Sequence, residues 1–319
     1  MHVNKMDCFA KTDTGRTRPA NEDQFLVADL VKAARVQQTS LSLDRHTEVT
    51  GQTQGKVFLV ADGVGGRVAG SRASAVAVDE MVNFMVNRMG WQTFQESHRG
   101  MPDELAGDLK AAMKHCQERI QNEAMLNADK HGMATTLTVA LLDWPFLHVV
   151  HVGDSRCYLH RTDHLRQLTC DHTFAQTLVQ EGAMTSEEAR ESRLNNAIWN
   201  VVGGTSSDIE PELFSQDLLV DDTLLLCTDG LTKHVTDSEI AELLGSGDSA
   251  KDIANRLVDL ANTNGGTDNI TVVVARFLSN SDDLVKDTGT CVRAESDETV
   301  TLPHKSSIAT SSIDPSAVG

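Results

Sequence analysis

Lys56 to Gly70 reads KVFLVADGVGGRVAG. The apolar run Val57 to Ala61 predicts a buried strand, which stops at Asp62-Gly63; after Gly65-Gly66 a small-residue segment turns helical. A strand that ends on a carboxylate in a glycine turn holds that carboxylate rigidly and lets backbone oxygen and ligand come close. Asp-Gly is also a common turn dipeptide, and one example specifies nothing. The pattern recurs, however. HVVHVGDSR (148–156), TLLLCTDGL (223–231) and GGTDNITVVVARF (265–277) each set an aspartate in a small-residue turn at the end of an apolar segment. If these strands share one sandwich, Asp62, Asp229 and Asp268 gather at one end of it.

With 319 residues, 40% of them hydrophobic, the chain is long enough to bury a large core. Its net charge of −18 repels nucleic acid and anionic membrane, so neither is expected as a partner. A small anionic group still binds where local cations overturn the global field. Cys8, Cys116, Cys157, Cys170, Cys227 and Cys291 are scattered and form no CxxC pair, which suggests neither a zinc site nor a disulfide framework. A reduced, cytoplasmic protein is expected. The segment MHVNKMDCFAKTDTG has no apolar signal core, and no run approaches the ~18 apolar residues of a membrane span.

Taken in order, a short strand precedes DTGRTRPANEDQFLVAD, whose Arg18, Asn21, Glu22 and Asp23 read as a charged loop ahead of Phe25-Leu26-Val27. Residues 30–55 are polar and Gln/Thr-rich, a hairpin connection without a helical stripe. Val78, Met81, Val82 and Met85 predict one amphipathic helix, and Leu105, Leu109, Ala112, Cys116 and Ile120 a second. TTLTVALL (135–142) and FLHVVHV (146–152), joined by Asp143-Trp144-Pro145, read as a hairpin that Cys157 to His160 and Leu165 to Leu168 continue as a meander. His148, His151, His160 and His164 invite a metal reading, but strand alternation sets His148 and His151 on opposite faces. Thr185 with Glu188, and Thr236 with Glu239, have capping-box spacing. Ile253, Leu257 and Leu260 stripe a last helix, and Ile270 to Phe277 is the closing strand. Beyond about residue 280 the Ser/Thr/Asp-rich sequence buries too little apolar surface to offset its ordering entropy, which predicts a disordered tail over 281–319. Strands and helices come in separate runs, which predicts an α+β fold of antiparallel sheets with helices outside.

Together, DTGRTRPANED, VADGVGGRVAG, GMATTLTVALL, HVGDSRCYL, LTCDHT, EGAMTSEEA, LLCTDGL and GGTDNITVVV resemble, in order, the metal-dependent protein phosphatases of the PPM or type 2C serine/threonine class in their bacterial form. The resemblance implies a catalytic domain over 1–280 built as a sandwich of two antiparallel β-sheets flanked by helical layers. It implies an enzyme that hydrolyses phosphoserine and phosphothreonine esters, a cytoplasmic monomer opposing a Ser/Thr kinase. By the same resemblance Asp62 bridges two Mn²⁺ or Mg²⁺ ions and Gly63 lends a backbone carbonyl. Asp229 and Asp268 resemble ligands of one ion, Glu22 and Asp23 of the other, and Asp129 the acid that helps hold a third, weaker one. Arg18 resembles the phosphate-binding arginine, a planar guanidinium that grips two phosphoryl oxygens at once. The segment 170–205 resembles the flap beside the active site, and its Trp199 is expected to contact the protein substrate.

The chemistry suits these residue types. Hard divalent ions prefer oxygen ligands, and two of them roughly neutralise Asp23, Asp62, Asp229 and Asp268. Without them, clustered carboxylates raise one another's pKa. An ion pair about 3.5–4 Å apart readies a bridging water for in-line attack on phosphorus, with no covalent phospho-enzyme. The chain departs from the family pattern at Val64, where many relatives have histidine, so no side chain is assigned as general acid. It departs again at Ala134 and at Trp199-Asn200. The competing readings are a phosphatase-like scaffold without activity, favoured by a lost ligand, and a phosphodiesterase, favoured by histidine ligands; the residues supply neither feature.

Overall fold

The computed structural model describes residues 5–35, 48–65, 69–89 and 100–279. The tail expected over 281–319 lies outside the described residues. Two five-stranded antiparallel sheets face each other. The first runs β1 (Lys5–Asp13), β13 (Ile270–Leu278), β12 (Thr223–Cys227), β8 (Arg156–Arg161) and β9 (His164–Gln167). The second runs β11 (Glu212–Asp217), β7 (Phe146–Val152), β6 (Leu137–Asp143), β3 (Glu48–Ala61) and β2 (Gln24–Arg35). A small third sheet joins β10 (Val202–Gly203), β5 (Ala134–Thr135) and β4 (Gly63–Val64).

The continuous apolar runs arise because the central strands are covered on both faces. From β3, Phe58 and Val60 enter the layer between the sheets and meet Val273, Ala275 and Phe277 of β13. The alternate residues Val57, Leu59 and Ala61 face away from that layer. There they meet Met81 and Met85 of α1 (Ala69–Asn87) and Leu109, Met113 and Ile120 of α2 (Asp103–Leu126). On the far side, Val272 and Val274 pack under α5 (Asp229–Thr232), α6 (Asp237–Leu244) and α7 (Ala250–Thr263), with Ile253 and Leu257 buried as their spacing predicts. The result is a four-layered α-β-β-α sandwich. Truncating Phe58, fully buried at its centre, removes about 3–5 kcal/mol.

Two segments differ from expectation. The polar stretch 30–55 is not simply a connection: β2 continues to Arg35 and β3 starts at Glu48, paired in register with two irregularities near Leu30 to Ala33. The stretch has no continuous apolar run, so hydrophobic content alone gave no strand there. Nor do residues 146–168 form one meander. After β7 the chain crosses to the other sheet through Gly153, whose φ is +117° and where an added Cβ would sit 2.5 Å from the Thr136 Cβ, so only glycine fits. The flap segment folds as α3 (Phe174–Gln180), α4 (Ser186–Glu191) and a 3-10 turn Arg193–Asn196. Thr185 and Thr236 both form the reciprocal capping boxes expected of them.

Candidate metal centre

The candidate aspartates occupy strand ends on one side of the sandwich. Asp23 immediately precedes β2 and Asp62 immediately follows β3; Asp229 opens α5 just after β12, and Asp268 lies just before β13. Antiparallel pairing of β2 with β3 (Gln24 opposite Ala61) and of β12 with β13 (Cys227 opposite Val272) brings these ends side by side. Asp62, Asp229, Asp268, Glu22, Gly63 and Arg18 all line one cleft of about 890 Å³. Asp23 lies buried against this group, close enough to raise the pKa of Asp62.

Backbone pairing fixes Asp62. Its N–H donates to Thr136 Oγ1 (2.9 Å), while its carbonyl accepts from the Thr136 N–H (2.9 Å) and from Thr135 Oγ1 (2.8 Å). Gly63 then runs so close to the start of α1 that an added Cβ would sit 2.4 Å from the Gly70 carbonyl and 2.8 Å from the Glu22 carbonyl. Glycine is the residue that permits this approach. Glu22 is held by its main chain: its N–H donates to Asn269 Oδ1 (2.9 Å) and its carbonyl accepts from Ser74 Oγ (2.6 Å). The Asn269 amide also donates to the carbonyls of Thr14 and Ala20, so one side chain ties the loop carrying Arg18 and Glu22 to the strand behind Asp268.

The electrostatics are those of an anion cluster that needs cations. Burial first, then the charges of Asp23, Asp229, Asp154 and Asp268, push Asp62 well above the carboxylate range. Burial pushes Asp23 up to about 7, against hydrogen bonds to its Oδ2 from Thr271 (2.6 Å) and Thr228 (2.9 Å). Asp268 goes the other way: burial opposes its ionisation, but Lys233 and Arg18 outweigh burial and hold it low. Arg18 grips it with both Nε (2.8 Å) and a terminal nitrogen (2.9 Å), and Lys233 reaches Asp268 (2.8 Å) and Asp229 (2.5 Å).

Asp154, in the turn between β7 and β8, is a site residue that sequence reasoning missed. It lines the cleft, it is buried, and burial together with Asp229 and Asp171 drives its pKa far up. The signal is present in HVGDSR, an aspartate at a strand end beside glycine, but the expectation fell on Asp129 for its nearness to the GMATT run. Asp129 sits on the 3-10 turn Ala128–Lys130 and is not among the cleft's lining residues. Trp199 also stands apart from that lining: its ring packs against His172 at 5.1 Å between centroids, while the neighbouring Ile198 faces the cleft.

Three buried carboxylate oxygens, Asp23 Oδ1, Asp154 Oδ1 and Asp229 Oδ1, have no hydrogen-bond partner among the described residues. Unpartnered buried oxygens carry a desolvation cost that a hard divalent ion removes, and the all-oxygen donor set fits Mg²⁺ or Mn²⁺. A second cluster behaves differently. His151, His172 and Glu212 bring ligand atoms within 4.8 Å of one another. Yet His151 Nδ1 bonds Thr138, its Nε2 faces the carbonyls of Gly153 and Cys170, and Glu212 accepts the Cys170 N–H. His172 Nδ1 accepts from the Gly153 N–H and faces the Asn200 amide. Both His151 nitrogens, His172 Nδ1 and one Glu212 oxygen are already spent on fixing the crossover between sheets.

The family model described as Protein phosphatase 2C matches residues 33–272. The serine/threonine protein phosphatase PstP of Mycobacterium tuberculosis is 37% identical over 220 residues, 69% of this chain; the chain spans only 40% of that relative's length. The serine/threonine phosphatase stp of Listeria innocua is 31% identical over 265 residues, covering 83% of this chain and 93% of that one. Among solved structures, the catalytic domain of PstP in complex with two manganese ions superposes with a TM-score of 0.65 at 31% identity, covering 86% of this chain and 99% of that one.

Proposed function

The chain belongs to the protein phosphatase 2C family, and from that premise we propose that it hydrolyses phosphoserine and phosphothreonine esters of proteins with the aid of two divalent cations, Mn²⁺ or Mg²⁺. The observation that carries this reading is the set of orphaned oxygens on Asp23, Asp154 and Asp229, gathered around Asp62 in a cleft that also holds Arg18. The cations supply Lewis acidity and lower the pKa of water near the phosphate. Asp62, Asp229, Asp268, Asp23 and Asp154 would hold them, together with the Gly63 carbonyl and Glu22. Arg18, whose guanidinium is paired with Asp268 beside the cleft, would hold the phosphoryl oxygens and orient the ester for in-line attack. Val64 at the cleft wall offers no proton, so it does not protonate the leaving oxygen.

The reading extends to a monomeric cytoplasmic enzyme that reverses the action of a Ser/Thr kinase. Unpaired Cys8, Cys116, Cys157, Cys170 and Cys227 agree with a reducing compartment, and no helix among the described residues is long and apolar enough to cross a membrane. Hydrolysis of an aryl phosphate and of a phosphothreonine peptide, with Mn²⁺ and with chelator, tests the proposal. Turnover that requires Mn²⁺ and disappears in Asp62→Asn is the expected result; turnover that survives chelation contradicts it.

A further inference from the structure

Five lysine and arginine side chains line the cleft among the described residues, and the charge of four is already answered. Arg18 pairs with Asp268, Lys233 with Asp229 and Asp268, Arg156 with Asp171 (2.7 Å), and Arg190 with Asp237 (3.3 Å). Arg193 is the exception: it forms no side-chain hydrogen bond or ion pair among the described residues, although it lines a cleft rich in carboxylates. In a chain with 46 acidic and 28 basic side chains, a guanidinium left unpaired there is out of keeping with its surroundings.

The main chain that carries Arg193 is held in place, and its side chain is exposed. Arg193 begins the 3-10 turn Arg193–Asn196, whose start is capped by Ser192 Oγ accepting from the Leu194 N–H (3.2 Å). The Ala197 N–H closes the turn on the Leu194 carbonyl (3.2 Å), and the Phe174 N–H ties it to α3 through the Ala197 carbonyl (3.0 Å). Arg193 therefore stands on a braced wall of the cleft, apart from the strand ends that carry the aspartates. Those aspartates attract cations, so an anionic substrate group other than the reacting phosphate is repelled from the floor and finds an unanswered positive charge on the wall.

We propose that Arg193 reads a second anionic group on the substrate polypeptide, a carboxylate or another phosphate flanking the phosphorylated residue, and so makes the enzyme selective for acidic or multiply phosphorylated sites. The inference rests on the phosphatase reading above. An exposed charge-assisted contact of this kind is worth a modest factor, about 5–10-fold in kcat/KM.

The test compares phosphothreonine peptides that carry Glu, its neutral isostere Gln, or a second phosphothreonine beside the reacting residue, on either side in turn. Wild-type enzyme with Mn²⁺ is expected to prefer the Glu or the doubly phosphorylated peptide by that factor, and which of the two is preferred names the anion. The preference shrinks with added salt, falls to near unity in Arg193→Gln, is partly kept in Arg193→Lys and inverts in Arg193→Glu; a merely structural role for Arg193 lowers all peptides together and leaves the ratio intact. Equal kcat/KM on Glu, Gln and doubly phosphorylated peptides by a wild-type enzyme that turns over aryl phosphate overturns this inference alone, as does a ratio unchanged in Arg193→Gln. Failure of the wild-type chain to hydrolyse aryl phosphate with Mn²⁺ overturns the phosphatase reading and this inference with it.

Discussion

The aspartate cluster on the cleft floor and the His151-His172-Glu212 cluster are made of equally good metal-binding residue types, and both draw on the crossover between β7 and β8. Proximity does not separate them. What separates them is whether their lone pairs are free: Asp23, Asp154 and Asp229 each keep a buried oxygen without a partner among the described residues, while His151 has both nitrogens engaged and Glu212 is bound to the backbone. The first cluster is unfinished without cations, and the second is finished as it stands. Burial and mutual repulsion accordingly raise the pKa of Asp23, Asp62 and Asp154 in the first, whereas burial keeps the imidazoles of the second neutral.

The largest expected effect lies on the floor. Asp62→Asn and Asp229→Asn should each lower phosphatase turnover by about a thousandfold or more, measured on aryl phosphate at saturating Mn²⁺. His151→Ala should instead cost about 2–3 kcal/mol of stability in chemical denaturation and leave the stoichiometry of Mn²⁺ binding as it was, because it strands Thr138 Oγ1 and two carbonyls. If His151→Ala abolished cation binding, the division between the clusters would be wrong.

Cations should also stabilise the fold. At a concentration about 100 times Kd, Mn²⁺ is expected to add ~2.7 kcal/mol, seen as a higher melting temperature, and Asp154→Asn should reduce that gain while Asp129→Ala does not. This pair sharpens the distinction between the aspartate that lines the cleft and the one that stays on its turn outside it.

The smaller effect is in pH. Burial lowers His151 to about 3 and His148 to about 4, below the ordinary value near 6.5. Folded pKa values below the unfolded ones mean that the unfolded chain binds more protons, so this contribution is complete above about pH 6.5 and is lost as pH falls toward 4 and then 3. Each imidazole adds up to about 1.4 kcal/mol per pH unit across that window. The difference in denaturant midpoint between wild type and His148→Gln should therefore move in favour of His148→Gln as pH falls from 7 to 4, while the raised carboxyls of Asp23, Asp62 and Asp154 act with the opposite sign in both chains.

Much of this is legible in the chain. Apolar runs ending on Asp-Gly at Asp62 and Asp229, and the GGTDN turn at Asp268, mark the strands, their ends and the floor of the cleft, because burial on both faces and tight turns each write a strong local pattern. Asp154 carries the same pattern in HVGDSR and is still given no role, since a turn that leads to the other sheet looks locally like any hairpin. The role of Asn269 as a clamp is invisible, being made of contacts to Thr14, Ala20 and Glu22 some 250 positions away along the chain. Trp199, singled out by its position in an unusual motif, packs its ring on His172 and remains partly exposed beside the cleft; the unpaired Arg193 emerges only from asking which cation has no counter-charge.

The most direct test of the central claim is anomalous diffraction from crystals of the chain equilibrated with Mn²⁺. Two peaks within about 2 Å of carboxylate oxygens of Asp62 and its neighbours Asp23, Asp154, Asp229 or Asp268 are predicted. A map with no peak in that cleft, or with its peak between His151, His172 and Glu212 instead, would contradict the account.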